Sequence, residues 1–132
     1  SMFKKAYGQS TTSIIDVLNF ALTLEYLESK FYATANGTAN LIPSGFEAAA
    51  IATIGDHESA HVTFLQEAIA ASGGTPVSEP NFDFTAGGAF PNVFSDYATF
   101  LAVAQTFEDT GVRAYKGQAG NLISNNAVLT AA

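Results

Sequence analysis

Three long stretches of the chain repeat apolar residues every three or four positions, the spacing that lines one face of an α-helix. The first runs from about Thr12 to Ala35, with Ser13 or a neighbouring Thr as its cap, Asp16 in its first turn and Asn36-Gly37 as its stop. The second, about 45–72, follows Pro43, where Ser44 and Glu47 have the spacing of a capping box, and it ends at Gly73-Gly74. The third, about 92–118, contains Gly111 as a weak point and ends at Gly117 or Gly120. Each spans about 25 residues, twice the usual length of a globular helix. Long helices joined by short links predict a bundle, and the short Asn36–Pro43 link makes the first two antiparallel neighbours.

The stretch 73–91 is long enough, at roughly 3.3 Å per extended residue, to run the length of a helix. The fold expected is therefore all-α, an up-down four-helix bundle in which one long crossover joins helices two and three. A fourth helix is expected from about 125 to 132, cut short where the sequence ends at Ala132. Residues 1–132 read as one domain, and the groove beside the missing helix implies either a truncated piece, whose site would be incomplete or empty, or a partner such as a second copy in a homodimer that closes it.

Acidic residues interrupt the apolar faces at their centres. Placed at about 100° per residue, Ile14, Leu18, Ala21, Leu22, Ser29 and Tyr32 fall within about 60° of Glu25. Ile51, Ile54, His61, Val62, Leu65 and Ile69 surround Glu58 in the same way, while Asp56 and Glu67 project from the opposite face. On the third helix Phe94, Tyr97, Leu101, Ala104, Val112 and Tyr115 surround Glu108. An ionised carboxylate buried without compensation costs several kcal/mol, and no Lys or Arg lies on these stripes to offset it. A divalent cation would, and carboxylate oxygen with imidazole nitrogen suits iron, manganese or zinc. Glu58 and His61 are three residues apart, so both can converge on one ion. Glu25, Glu58, His61 and Glu108 are the candidate ligands for a pair of metal ions, the pattern of one Glu, Glu-x-x-His and another Glu on successive helices. Glu28 lies on the shoulder of the first stripe, where a surface or supporting position is expected. His57 sits to the side, and Tyr32, two turns beyond Glu25, is a core aromatic with the best opportunity to support the ligands.

Composition narrows the partners. A formal charge of -7 with only five Lys and Arg residues argues against nucleic acid and anionic membrane surfaces. No apolar run approaches the roughly 18–20 residues of a membrane span, so a soluble protein is expected. The absence of cysteine excludes disulfides, thiolate ligands and Cys nucleophiles. Ser1-Met2 reads as a cloning remnant, so the sequence leaves the compartment open.

At these residues the chain resembles the ferritin-like superfamily, in the branch of bacterial ferritin-like domain proteins and plant desiccation-related proteins. The resemblance rests on Asn19–Glu28 with Phe31-Tyr32, on Asp56–Leu65, on Gly73–Val77, on Phe82–Phe84 and on Phe107–Gly117. It implies that Glu25 is the first-helix ligand, Glu58 the bridging ligand, His61 its partner on one metal and Glu108 the third-helix ligand. Members with a full di-iron site commonly add Glu-x-x-His from helix four, which this chain lacks. The function implied is a non-haem di-iron oxidoreductase that oxidises ferrous iron or reduces dioxygen or peroxide. The alternative is a non-enzymatic stress- or desiccation-related protective module with a structural or vestigial metal site. Iron storage would need a hollow multimeric shell, for which no assembly surface is legible. Relatives in this branch are often exported.

Overall fold

A computed structural model describes residues 2–122, with side-chain surroundings for 14–114. It contains α1 (Met2–Asn36), α2 (Phe46–Ala71) and α3 (Tyr97–Leu122), with no strand among the described residues. The expected fourth helix at 125–132 lies outside the described residues, as does the side chain of Tyr115.

The helix boundaries correct the sequence reading in three places. α1 starts at Met2, not near Thr12, because Ser and Thr cost only about 0.5 kcal/mol in a helix interior and therefore permit a start without compelling one. The capping box of Ser44 and Glu47 does not form. Gly45, with φ 96°, takes the cap position of α2, and no side chain caps it. α3 starts at Tyr97, not at Asn92, because Asn92–Asp96 folds into a turn in which the Ser95 and Asp96 amides donate to the Asn92 carbonyl. Asp96 then caps the helix, its Oδ2 accepting from the Thr99 amide at 2.9 Å and the Thr99 hydroxyl at 2.7 Å. At the other end of α2 the predicted stop is realised as a Schellman motif. Gly73, at φ 82°, donates to the Ala70 carbonyl, and Gly74 donates to the Ile69 carbonyl.

The crossover is fastened to α1 along its length. Asn19 accepts from the Val77 amide at 2.8 Å and donates to the Thr75 carbonyl at 3.3 Å. The Tyr26 hydroxyl donates to the Val77 carbonyl at 3.0 Å and accepts from Gln66 of α2 at 2.9 Å. Further on, Phe84 packs edge-on to Phe31 at 5.3 Å between ring centroids. α1 is thus the shared element, packed along α2, against α3 and beneath the crossover.

Two apolar clusters occupy the core at different heights along α1. One joins Val17, Leu18, Ala21, Leu22 and Tyr26 to Leu65 and Ile69 of α2. The other joins Phe31, Tyr32 and Ala35 to Ile51 of α2 and to Phe100, Val103 and Ala104 of α3. Glu25 and Glu28 fall between these clusters on α1, and Glu58 falls between them on α2. Apolar layers therefore close the carboxylate layer from above and below.

The orientation of α3 departs from expectation. Its buried arc is Phe100, Val103, Ala104 and Gly111, whereas Leu101 and Val112 are 44% and 51% exposed. At about 100° per residue that arc is rotated away from Glu108, which is half-buried at its edge. The cause is the partner: α3 packs on α1 and the crossover through Phe100 and Phe107, stacked at 5.0 Å and edge-on at 4.9 Å against Phe31.

Candidate metal centre

Glu25, Glu28 and Glu58 are the buried charged residues among the described ones, at 5%, 8% and 8% exposure. Each sits on a helix face that is otherwise apolar, so helix periodicity alone carries these carboxylates inward. Glu25 and Glu58 are where the sequence places them. Glu28, on the shoulder of the stripe, is buried, which removes the surface alternative and leaves a supporting position open.

Glu25, Glu58 and His61 come together. One ligand atom from each lies within 4.8 Å of the others. His61 Nδ1 stands 3.5 Å from Glu25 Oε2 and 3.5 Å from Glu58 Oε2. The imidazole itself is 55% exposed, so it marks the open side of the layer. His57, one residue before Glu58, is exposed and lies outside this group.

Glu108 also stands apart from the trio, held by the Tyr32 hydroxyl, which donates to Glu108 Oε1 at 2.9 Å. Its charge still reaches the centre and adds to the upward shifts of Glu28, Glu58 and Tyr32. Burial is the main cause of all three shifts. It pushes Glu28 from 4.5 to about 7, against a hydrogen bond with Glu58 and with help from the charges of Glu25 and Glu108. Glu58 is raised in the same way, opposed by a hydrogen bond with Glu25. The Tyr32 hydroxyl is also raised, so it remains a protonated donor to Glu108.

The donor set suits a first-row divalent cation. Bonds from such an ion to carboxylate oxygen or imidazole nitrogen are about 2.0–2.2 Å, which sets neighbouring donors about 2.8–3.1 Å apart on an octahedral shell and about 3.3–3.6 Å apart on a tetrahedral one. The 3.5 Å separations around His61 Nδ1 match that spacing. A cation at this point would also offset the crowding of negative charge that raises the carboxylate pKa values.

Sequence reasoning left Glu28 between a surface and a supporting position and missed the centrality of Phe31. The signal for Glu28 was Gly111. A Cβ built there would stand 3.1 Å from Glu28 Oε1, so α3 has cleared space for that carboxylate.

Among the described residues, no helix is long and apolar enough to cross a membrane. Comparison with curated proteins and with solved structures finds no match. The family model of the ferritin-like domain matches residues 13–132, a span that includes every carboxylate of the cluster and the helices that carry them. The chain belongs to the ferritin-like domain family.

Proposed function

We propose that this chain binds a pair of metal ions, with iron as the working metal, and serves as a non-haem di-iron oxidoreductase of ferrous iron, dioxygen or peroxide. The observation that carries the reading is the convergence within 4.8 Å of two buried carboxylates, Glu25 and Glu58, and the exposed His61 from two helices. Glu58 would be the bridging ligand, since its carboxylate hydrogen-bonds with those of both Glu25 and Glu28. Glu25 and His61 would hold one ion, and Glu108, kept in place by Tyr32, would be the third-helix ligand.

Oxygen donors with a single imidazole favour iron or manganese over softer choices. A bound ferrous pair supplies electrons that dioxygen or peroxide accepts. The protein's share is to fix the donors and to keep water from most of the layer. Leu22 and Leu65 form one apolar side, Phe31 and Ile51 the other, and the exposed edge at His61 leaves a path for a small oxidant. Tyr32 fixes the orientation of Glu108 through its hydroxyl.

The test is anaerobic titration of the chain with ferrous iron, followed by admission of oxygen. Saturable binding and a new ferric absorption band in the near ultraviolet, both lost in Glu58→Ala, are expected. If ferrous iron, manganese and zinc all fail to bind saturably, the proposal is wrong.

A further inference from the structure

We infer that Glu28 is a further metal ligand of this centre, admitted to it by the missing side chain of Gly111. The inference rests on the metal-binding reading above and extends it to a residue that the Glu, Glu-x-x-His, Glu pattern does not include.

Glu28 follows Glu25 by one helical turn, so the two side chains stand on the same flank of α1. Its residue is 8% exposed, which removes the option of a solvated carboxylate. The helix facing it, α3, carries glycine at the point of closest approach, and a Cβ there would lie 3.1 Å from Glu28 Oε1. Glycine in a helix interior is roughly 1 kcal/mol worse than alanine, and Gly111 is buried within α3. The sequence therefore departs from good helix chemistry at the one position where alanine would press on this carboxylate.

The other partners of Glu28 are acidic as well. It shares a hydrogen bond with Glu58, and the charges of Glu25 and Glu108 act on it. Among the described residues, the ion pairs of the cluster are those made by His61 to Glu25 and Glu58. Glu58 hydrogen-bonds with both Glu25 and Glu28, and His61 Nδ1 stands 3.5 Å from its Oε2. A carboxylate in contact with ligand oxygens of two neighbouring side chains is suited to bridge two ions. An ion on the Glu28 side would meet oxygen donors from Glu28 and Glu58, whereas the other would also meet imidazole. Oxygen-only surroundings favour a harder cation, manganese or ferrous iron, over zinc.

The experiment is anaerobic calorimetric titration of the chain with manganese, ferrous iron and zinc as separate probes. It compares the wild type, Glu28→Gln, Gly111→Ala and the Glu28→Ala/Gly111→Ala pair against Glu28→Ala, with folding checked by circular dichroism. Glu28→Gln should lose one manganese or ferrous ion, or bind it at least about tenfold more weakly, while the ion held by Glu25, Glu58 and His61 stays. Gly111→Ala should weaken the same ion by about tenfold, the effect expected when the support of a ligand is disturbed. In the Glu28→Ala background, Gly111→Ala should change nothing further, because the carboxylate on which it acts is gone. Binding of every probe by Glu28→Gln with wild-type number and affinity would overturn the inference, as would a Gly111→Ala effect that persists without Glu28. Should Glu28→Gln not fold, Gly111→Ala decides, and wild-type affinity in that variant rejects the role of Glu28. A wild type that binds no metal at all would reject the parent reading instead, and the two failures are distinct.

Discussion

The Tyr32 hydroxyl donates to Glu108 Oε1 at 2.9 Å, joining α1 to α3 across the edge of the carboxylate layer. Tyr32 is 3% exposed, and burial together with the charge of Glu108 raises the pKa of its hydroxyl, so it stays the donor in this contact. Removing the hydroxyl leaves a half-buried carboxylate without this donor. A hydrogen bond to a charged group contributes about 1.5–3 kcal/mol. Tyr32→Phe is therefore expected to lose on the order of 1–2 kcal/mol in urea denaturation of the metal-free protein. It should also weaken binding of the metal ion nearest Glu108 by about tenfold, read by calorimetry. Unchanged values in both measurements would show that Glu108 is positioned by something else.

Glu58 is the residue at which stability with and without metal should move in opposite directions. In the metal-free protein its burial raises its pKa, which marks the charged form as unfavourable there. Glu58→Ala should leave metal-free thermal stability unchanged or higher, despite the small cavity it opens. The wild type should gain stability with added ferrous iron or manganese, by about 2.7 kcal/mol at a hundredfold excess over its dissociation constant. That gain should be absent from Glu58→Ala. Thermal melts of both proteins with chelator and with metal settle the point, and a wild type insensitive to both additions would contradict it.

The carboxylate stripe of α1 was legible because periodicity fixes which residues share a face, and Leu18, Leu22, Glu25 and Tyr32 are all buried on it. The same rule placed Ile51, Glu58, Leu65 and Ile69 on the inner face of α2. Periodicity does not say which part of an apolar arc meets a neighbour. On α3 the expected arc ran around Glu108 through Leu101, Ala104 and Val112, whereas packing against α1 selected Phe100, Val103 and Ala104 and left Leu101 and Val112 exposed. Glu28, at the edge of its stripe, could be read only as either a surface or a supporting residue. Its inward position depends on the clearance at Gly111, a contact between helices far apart in sequence. The start of α3 was misplaced because Asn92 and Asp96 are both good caps, and local hydrogen bonding alone decides between them.

Phe31 should be the most sensitive apolar position. It is fully buried and its ring meets Tyr32, Phe84, Phe94, Phe100 and Phe107, so one side chain ties α1 to the crossover and to α3. Phe31→Ala is expected to cost about 3–5 kcal/mol, the range for removing a buried phenyl ring. Phe46, at 83% exposure, is the internal control, and Phe46→Ser should change stability by no more than about 0.5 kcal/mol. Chemical denaturation of the two variants compares them directly, and equal effects would mean that the aromatic cluster is not the joint between these elements.

The metal-free protein should lose stability as pH rises from about 4.5 to about 7. Glu28 is raised from 4.5 to about 7, first by burial and then by the charges of Glu25 and Glu108. Between those values the folded chain holds a proton at Glu28 that the unfolded chain has released, so unfolding becomes easier with each step upward in pH. The contribution is fully present below pH 4.5 and gone above about 7, and Glu58, raised in the same direction, adds to it. One pKa unit corresponds to about 1.4 kcal/mol, so the total change is on the order of 1–3 kcal/mol once the sharing of charge among the carboxylates is allowed for. Asp83 and Asp96 shift the other way, each below 3.8 through hydrogen bonds to Thr85 and Thr99, and act only at more acidic pH. Urea denaturation in chelator from pH 5 to pH 8 should show the decline, and Glu28→Gln should flatten most of it. Bound metal holds the carboxylates ionised and should reverse the slope, because protons then compete with the cation for the same oxygens.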